Sequence, residues 1–313
     1  MNRTDFTAPV PASEREPATG PAAGGAGSSR SRGRNAYLPT VPFFGYVALF
    51  LIRPTLIVTV GAFQTADGLP TLDVIATVLT GSTFHQAFIR SIQLSLVSAL
   101  LGAVFGGLLA WAVAAGGPGG RLRQITVAGS SVLAQFGGVM LAFGFLATFG
   151  IEGLVSILLA ETVGFDRVRE SAWVYGMTGL TVVYSYFQIP LMVIVFLPAL
   201  DGLRKEWREA STSLGGSAWS YWRHVGGPIL APSFLGAVLL LFANAFSAYA
   251  TAAALVSQGS PIVPLQIREA LTSEVILGQA NVGKALALGM VIVVAIVMTM
   301  YALVQLRASC WLR

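Results

Sequence analysis

Six apolar stretches, each long enough to cross a lipid bilayer as a helix, constrain this 313-residue chain more than any other feature. The apolar core of a bilayer is about 30 Å thick, so a spanning helix needs about 20 mainly apolar residues. Only 11% of the residues are charged, against about 25% in an ordinary soluble domain. We therefore predict an all-α membrane protein with six transmembrane helices, at residues 41–63, 87–115, 125–149, 173–200, 229–256 and 283–306.

The chain before the first apolar stretch has a different composition. Residues 1–36 are rich in Pro, Ala, Gly, Ser and Arg and contain almost no large apolar side chains. Such a segment buries too little apolar surface to offset the entropy that is lost on ordering. We predict a disordered tail at residues 1–36 and a single transmembrane domain at residues 37–313.

The second apolar stretch carries a series of small residues. Most of them are separated by three or four positions, which places them on one face of a helix. Small residues allow neighbouring helix backbones to approach closely inside a membrane. The sequence predicts close helix packing along this face, which is formed by Ser95, Ser98, Gly102, Gly106 and Gly107.

The positively charged residues lie mainly on one side of the predicted topology. An even number of spans places both chain ends on the same side, and segments rich in Arg and Lys remain in the cytoplasm. The opposite side holds Arg167, Arg169 and Arg268, which acidic residues outnumber. We therefore predict cytoplasmic termini and a cytoplasmic loop at residues 201–228. The cytoplasmic side then holds Arg30, Arg32, Arg34, Arg121, Arg123, Arg204, Lys205, Arg208, Arg223, Arg307 and Arg313.

Charge and cysteine content exclude several kinds of site. The basic residues lie between apolar runs, so the net charge of +5 indicates membrane orientation rather than a nucleic-acid partner. Cys310 is the only cysteine, and no Cys/His cluster has the spacing of metal ligands. The phosphate-binding pattern GxxxxGK(S/T) is also absent. We predict no metal site, no bound cofactor and no catalytic residue in this chain.

Residues 201–228 form the longest charged passage in the second half of the chain. Asp201 can cap the start of a first helix. That helix has one apolar face, formed at steps of four, three and four positions by Leu203, Trp207, Ala210 and Leu214. Gly215 and Gly216 then allow a left-handed helix end, which a Cβ atom would resist.

A second short helix follows this glycine bend. Ser217 can cap it, and Pro228 suits the first turn of the next span. Its apolar residues are again three or four positions apart, at Ala218, Trp219, Trp222 and Val225. Chemistry alone leaves two interpretations. The helices lie on the inner membrane surface with their tryptophans at the headgroups, or they form a ridge that enters a groove on a cytoplasmic partner.

The stretch EASTSLGGSAWSYWRHVGGPILAP resembles the EAA motif of permeases from binding-protein-dependent ABC importers. That motif has Glu-Ala-Ala, a Gly six residues after the Glu, an aliphatic residue ten beyond the Gly, and then x-Leu-Pro. The matching positions are Glu209, Ala210, Gly215, Val225 and Pro228. Two positions depart from the motif, because Ser211 replaces the second Ala and Gly227 replaces the Leu.

The resemblance covers about residues 40–306 and implies a type I ABC importer permease fold. It implies a multi-pass protein of the bacterial inner membrane, which pairs with a second permease subunit, identical or different. Two ATPase subunits would use ATP, and an external binding protein would deliver the solute. The 201–228 loop would dock in an ATPase cleft, where Glu209 would pair with a basic group and Gly215 would set the bend. Leu214 and Trp219 complete the predicted coupling residues.

Polar side chains within the apolar stretches are candidates for the translocation path. Polar groups inside a membrane often line a pathway, but they also serve as hydrogen-bonding contacts between helices. Arg53 has the same two interpretations, because it could instead pair with a carboxylate or carbonyl in the bundle. The candidates are Gln135, Asn244, Ser247, Gln188 and Arg53.

The solute is indicated only by similarity of shape. The stretches FSAYATAAALV and PIVPLQIREALTSEVILGQANVGKALALGM resemble the polyamine, iron, sulfate and phosphonate branch of these permeases. This resemblance implies a small polar or charged solute, of the polyamine or organophosphonate type. The alternatives are a sugar-type ABC importer permease and a secondary carrier driven by an ion gradient.

Overall fold

A computed structural model of the chain describes residues 40–65, 68–117, 119–163, 173–256, 262–272 and 279–311. The predicted tail at residues 1–36 lies outside the described residues. The chain divides into a unit that ends at Arg53 and a unit that begins at Pro54. The described part of the first unit is helical, with α1 at Thr40–Val47 followed by a π-helical turn at Ala48–Ile52.

The second unit is an assembly of helices. Its first half contains α2 (Arg53–Gly61, which begins one residue before the unit), α3 (Asp73–Thr80), α4 (Ser82–Ala115), α5 (Arg121–Gln135), α6 (Gly138–Phe149) and α7 (Leu154–Val163). Its second half contains a 3-10 turn (Trp173–Tyr175), α8 (Met177–Asp201), α9 (Lys205–Ser213), α10 (Ala218–Tyr221), a π-helical turn (Trp222–Gly226), α11 (Gly227–Ser247), α12 (Ala250–Leu255), α13 (Val263–Thr272) and α14 (Gln279–Trp311).

Six helical segments are long and apolar enough to cross a membrane, which agrees with the predicted number. They are Pro42–Gly61, Ser82–Ala115, Gly138–Thr162, Met177–Asp201, Ala218–Ser247 and Ala280–Arg307. The chain is therefore an all-α membrane protein. The third and fifth predicted spans differ most from the observed bounds.

The third predicted span, residues 125–149, is not one helix. It consists of α5 and α6, which Phe136 and Gly137 separate. Gly138 has a φ of +69°, in the left-handed region that interrupts a right-handed helix. The apolar segment of spanning length begins instead at Gly138 and continues to Thr162.

The fifth predicted span, residues 229–256, begins earlier and ends earlier than expected. Its helix is continuous from Ala218 through the π-helical turn to Ser247, and α12 follows as a separate piece. Pro228 lies in the first turn of α11, as predicted, and the π-helical turn joins this helix to α10 without a break. In the π-helical turn the N–H of Gly227 donates to Trp222, five residues back, and this wider turn relieves the clash of a proline ring with the preceding carbonyls.

The core of the second unit forms where α4, α8 and α11 pack together. The predicted small-residue face of α4 is confirmed, because Ser95, Ser98, Gly102 and Gly106 are all buried. A Cβ on Gly106 would lie 2.5 Å from the carbonyl oxygen of Ile189 on α8. The close approach of α4 and α8 therefore depends on residues without side chains.

Candidate functional site

The 201–228 loop begins with an ion pair rather than with the predicted cap. Asp201 is the last residue of α8, and the N-cap of α9 is Arg204, which makes no side-chain capping bond. The expectation that Asp201 caps a helix is therefore wrong. Nη1 of Arg123 on α5 donates to Oδ1 of Asp201 at 2.9 Å, and Nη2 donates to Oδ2. This hydrogen bonding raises the pKa of the Arg123 guanidinium above its ordinary value.

The glycine bend has the geometry that the sequence predicts. Gly215 has a φ of +82°, and the N–H of Gly216 donates to the carbonyl of Ser211 at 2.8 Å, so the last turn of α9 is closed by backbone bonds. Beyond the bend, Oγ of Ser217 accepts a hydrogen bond from the N–H of Ser220 at 3.2 Å. The predicted cap at Ser217 is therefore confirmed.

Two large apolar side chains of the loop have little contact with the rest of the chain. Leu214 is 89% exposed and Trp219 is 73% exposed. The carboxylate of Glu209 on α9 is exposed, and within the described ranges no cation forms an ion pair with it. Exposed large apolar side chains and an exposed carboxylate are typical of loops that contact another molecule.

A groove separates α9 from the helix that begins at Ala218. Its volume is about 520 Å³, and its walls are formed by Trp207, Ala210, Ser211, Leu214, Gly216, Ser220, Val225 and Ile229. The structure thus brings together three of the predicted coupling residues, Ala210, Leu214 and Val225. Glu209 and Trp219 lie outside the lining of this groove.

A small cavity, called the polar cavity below for the Asn, Ser, Tyr and Thr side chains in its wall, forms where two interrupted helices meet. One interruption lies between α5 and α6, and the other lies at Ala248 and Tyr249 between α11 and α12. The cavity has a volume of about 300 Å³ and is lined by Ala134, Gly137, Gly138, Phe187, Asn244, Ser247, Ala248, Tyr249, Ala250 and Thr251. Two of the predicted path residues, Asn244 and Ser247, are therefore in its wall.

The other predicted path residues lie elsewhere. Gln135 is exposed at the end of α5 and is a sequence neighbour of the lining residue Ala134. Gln188 is fully buried, and its Nε2 donates to the carbonyl of Leu241 at 2.9 Å, so it joins α8 to α11 away from the cavity wall. Arg53 is exposed and ends the first unit.

Sequence reasoning did not select Thr251 as a cavity residue. Thr251 lines the cavity and is only 2% exposed. It is the one polar side chain in the helix ATAAAL. A single threonine among apolar residues is the sequence feature that could have marked it as a candidate. Within the described parts of the chain, no group of three His, Cys, Asp or Glu side chains is placed to hold a metal ion.

Comparison with known proteins identifies relatives of one kind. No known family profile matches the chain. It is 25% identical over 132 residues to the thiamine transport system permease protein ThiP of Escherichia coli (strain K12), a match that covers 42% of this chain and 24% of that protein. It is 24% identical over 212 residues to a probable sulfate transport system permease protein cysT of Nephroselmis olivacea, a match that covers 65% of this chain and 68% of that protein.

A solved structure has the same fold. It is a chain of a bacterial ABC transporter involved in the import of the acidic polysaccharide alginate. The TM-score is 0.65 at 17% identity, and the match covers 88% of this chain and 96% of that chain. The match to the thiamine relative spans about a quarter of that protein's length. The chain thus resembles ABC importer permeases in sequence and shares their fold, as the EAA-like stretch predicted.

Proposed function

We propose that this chain is the transmembrane permease subunit of an ATP-driven ABC importer in the bacterial inner membrane. The observation that carries the proposal is the 201–228 loop. Its residues match the EAA spacing, its bend at Gly215 leaves Leu214 exposed, and Glu209 on α9 carries an exposed carboxylate without an ion pair to a described residue. An exposed leucine and an exposed tryptophan in a charged loop favour a surface that another molecule covers.

The proposed partners follow from the division of labour in such importers. Two ATPase subunits bind the cytoplasmic side, where they hydrolyse ATP, and this chain contributes no nucleotide site of its own. A second permease, identical or different, completes the path, and an external binding protein delivers the solute. The positive charges on one side of the topology support a cytoplasmic position for the loop and for both termini.

Coupling then acts through the continuous helix that begins at Ala218. Because α10, the π-helical turn and α11 form one helix up to Ser247, a force on the loop reaches the polar cavity without crossing a flexible joint. Asn244 and Ser247 lie near the far end of this helix and line that cavity. We propose that the solute passes this cavity, and that Gln135 at the adjacent helix end contributes to the same path.

The solute is a small polar or charged molecule in this proposal, of the polyamine or organophosphonate type. The thiamine and sulfate systems named for the two relatives differ in the charge of their solutes, so they do not choose between these types.

The proposal is tested by assembly with the ATPase. The full chain is expressed with its gene neighbours, and ATPase co-purification and ATP-dependent uptake are measured for Glu209→Lys and Gly215→Pro. We expect both variants to lose assembly and uptake while the chain still folds in the membrane. Unchanged assembly and uptake would overturn the docking role. Uptake by the chain alone in liposomes, driven by an ion gradient without ATP, would instead establish a secondary carrier.

A further inference from the structure

The ion pair between Arg123 and Asp201 joins the ends of two helices. Arg123 is in the first turn of α5, which begins at Arg121, and Asp201 is the last residue of α8. Nη1 and Nη2 of the guanidinium each donate to a different oxygen of the carboxylate. A bidentate pair of this kind fixes the relative orientation of the two groups as well as their distance. The start of α5 is therefore held at the point where the 201–228 loop begins.

Neither charge is placed to stabilise its own helix. A positive charge is unfavourable at the start of a helix, and a negative charge is unfavourable at its end. Arg123 and Asp201 have these two unfavourable positions. The two side chains are also 19% and 39% exposed, and an ion pair in water adds little to stability. The placement of the pair therefore indicates a connection between α5 and the loop rather than a source of stability.

The packing of α5 against α8 is incomplete beside this pair. A cavity of about 520 Å³ lies between the two helices, and both Arg123 and Asp201 are in its wall. Protein interiors contain few voids larger than a water molecule, so close packing does not lock the helices together along this stretch. Among the described residues, no other side-chain hydrogen bond or ion pair joins α5 to α8. The rest of the wall is formed by Gln124, Val127, Ala128, Ser131, Val193, Ile194, Leu197 and Pro198.

The other end of α5 borders the polar cavity. Helix α5 is continuous from Arg121 to Gln135, and Ala134 in its last turn is in the wall of the polar cavity. A helix rises 1.5 Å per residue, so Ala134 lies about 16 Å along the axis from Arg123. A displacement of the start of α5 therefore reaches the polar cavity through one rigid helix.

The 201–228 loop thus has two links to the same cavity. Its C-terminal end continues through the π-helical turn into α11, whose Asn244 and Ser247 are in the cavity wall. Its N-terminal end, at Asp201, is linked through Arg123 to α5. The first link is a continuous helix, whereas the second depends on one ion pair. A movement of the loop therefore acts on both sides of the cavity only while this pair is intact.

We propose that Arg123 is a positioning residue for coupling, which acts through Asp201 to transmit movement of the 201–228 loop to the α5 side of the polar cavity. This inference rests on the proposed function, in which ATP binding by the ATPase subunits moves the loop. Arg123 touches neither nucleotide nor solute in this role. Its loss should separate the response of α5 from the response of α11.

The test follows the two sides of the polar cavity separately. Cys310 is the only cysteine, so Cys310→Ser gives a background in which Ala134→Cys on α5 or Ser247→Cys on α11 introduces a single thiol. The full chain is co-purified with its ATPase partner, placed in lipid nanodiscs and labelled with a fluorescent maleimide. Labelling is measured with and without a non-hydrolysable ATP analogue. With the ion pair intact, we expect the analogue to change the labelling rate about fivefold at both positions.

The decisive variant is Arg123→Gln. We expect it to remove the nucleotide-dependent change on α5 and to retain the change on α11, because α11 remains continuous with the loop. Asp201→Asn should have the same effect, and the exchange Arg123→Asp with Asp201→Arg should restore the change on α5. Arg121→Gln is the matched control, since Arg121 is in the same turn and has no ion pair with a described residue. It should leave both changes in place.

Several outcomes would overturn the proposal. One is a response on α5 that Arg123→Gln leaves unchanged, and another is a loss on α5 that the charge exchange does not restore. A loss on both helices would show a general disturbance of the chain instead of a broken link. The amount of co-purified ATPase and the unfolding midpoint are measured for each variant, and a large fall in either would likewise attribute the effect to misassembly. An absence of response at both positions with the pair intact would overturn the proposal too.

Failure of this inference is separable from failure of the proposed function. Assembly with the ATPase is measured by co-purification, without nucleotide and without labelling. A chain that assembles with an ATPase and responds equally with and without the ion pair would refute the positioning role of Arg123 alone. A chain that assembles with no ATPase would refute the importer role, and the coupling role of Arg123 with it.

Discussion

Gly102 lies against Gln188 so closely that a Cβ on Gly102 would stand 2.5 Å from the Cβ of Gln188. The same glutamine is fully buried and donates its amide N–H to the carbonyl of Leu241. Gln188 therefore connects α8 to α11 while α4 packs against its stem. This contact joins the three helices of the core at one point.

Replacement of Gly102 by Ala should destabilise the helix packing. The new methyl group has no space, and overpacking a core costs about 1–3 kcal/mol. Gly107→Ala is the matched control, because its Cβ would lie 3.4 Å from Phe234, an ordinary contact distance. Thermal unfolding of both variants in nanodiscs checks this. Equal midpoints for the two variants would show that α4 and α8 separate more easily than their contacts indicate.

Removal of the Arg123–Asp201 ion pair should produce a small, salt-dependent loss of stability. Both groups are partly exposed to water, and solvent screens such pairs. We expect Asp201→Asn to lower the unfolding midpoint at low salt, and the difference from the wild type to shrink at high salt. The exchange Arg123→Asp with Asp201→Arg should restore part of the loss. Arg121→Gln is the control, since Arg121 begins the same helix and has no ion pair with a described residue.

Truncation of Leu214 should weaken assembly with the ATPase without destabilising the chain. Leu214 is 89% exposed, so its replacement by Ala removes almost no buried surface from the chain alone. An apolar anchor at a protein interface commonly contributes more than 1 kcal/mol, so we expect less ATPase to co-purify. Leu69→Ala provides the same exchange at a side chain that is exposed outside the loop. A lower unfolding midpoint for Leu214→Ala would indicate an internal role instead.

The hydroxyl of Tyr184 should matter more than that of its neighbour Tyr186. Tyr184→Phe removes the hydrogen bond to Ala248, and such bonds in membrane proteins average about 0.6 kcal/mol with values up to about 1.7 kcal/mol. The expected loss is at the upper end, since the side chain is buried and caps a helix end. Tyr186→Phe is the control, because no described residue is hydrogen-bonded to the Tyr186 hydroxyl. Comparable unfolding free energies for the two variants would contradict this assignment.

In the 201–228 loop, the features that depend on neighbouring residues are predicted correctly, and the one that depends on a distant residue is not. Gly215 and Ser217 are where the pattern predicts them, because a left-handed residue and an N-cap are properties of a few neighbouring positions. The prediction that Asp201 caps a helix is wrong because the role of this residue is not set by its neighbours in the sequence. Its choice between capping α9 and pairing with Arg123 depends on a residue 78 positions away.

Helix interruptions were equally hard to predict. Residues 125–149 are apolar enough to read as one span, yet Phe136 and Gly137 divide them. Pro228 lies in the first turn of α11, as predicted, but the sequence does not show that a π-helical turn joins this helix to α10. Apolar composition indicates whether a segment can enter a membrane. It does not indicate where the backbone interrupts a helix within that segment.

The sequence by itself determined the membrane class, the number of spans and the bend of the 201–228 loop, because each follows from local composition or from the conformational range of single residues. Only the tertiary structure decided where the polar cavity lies. Gly138 and Ala250 are far apart in the chain, yet a Cβ on Gly138 would lie 3.6 Å from the Cβ of Ala250. That meeting of two helix interruptions arises from the packing of α6 with α12, which no local pattern encodes.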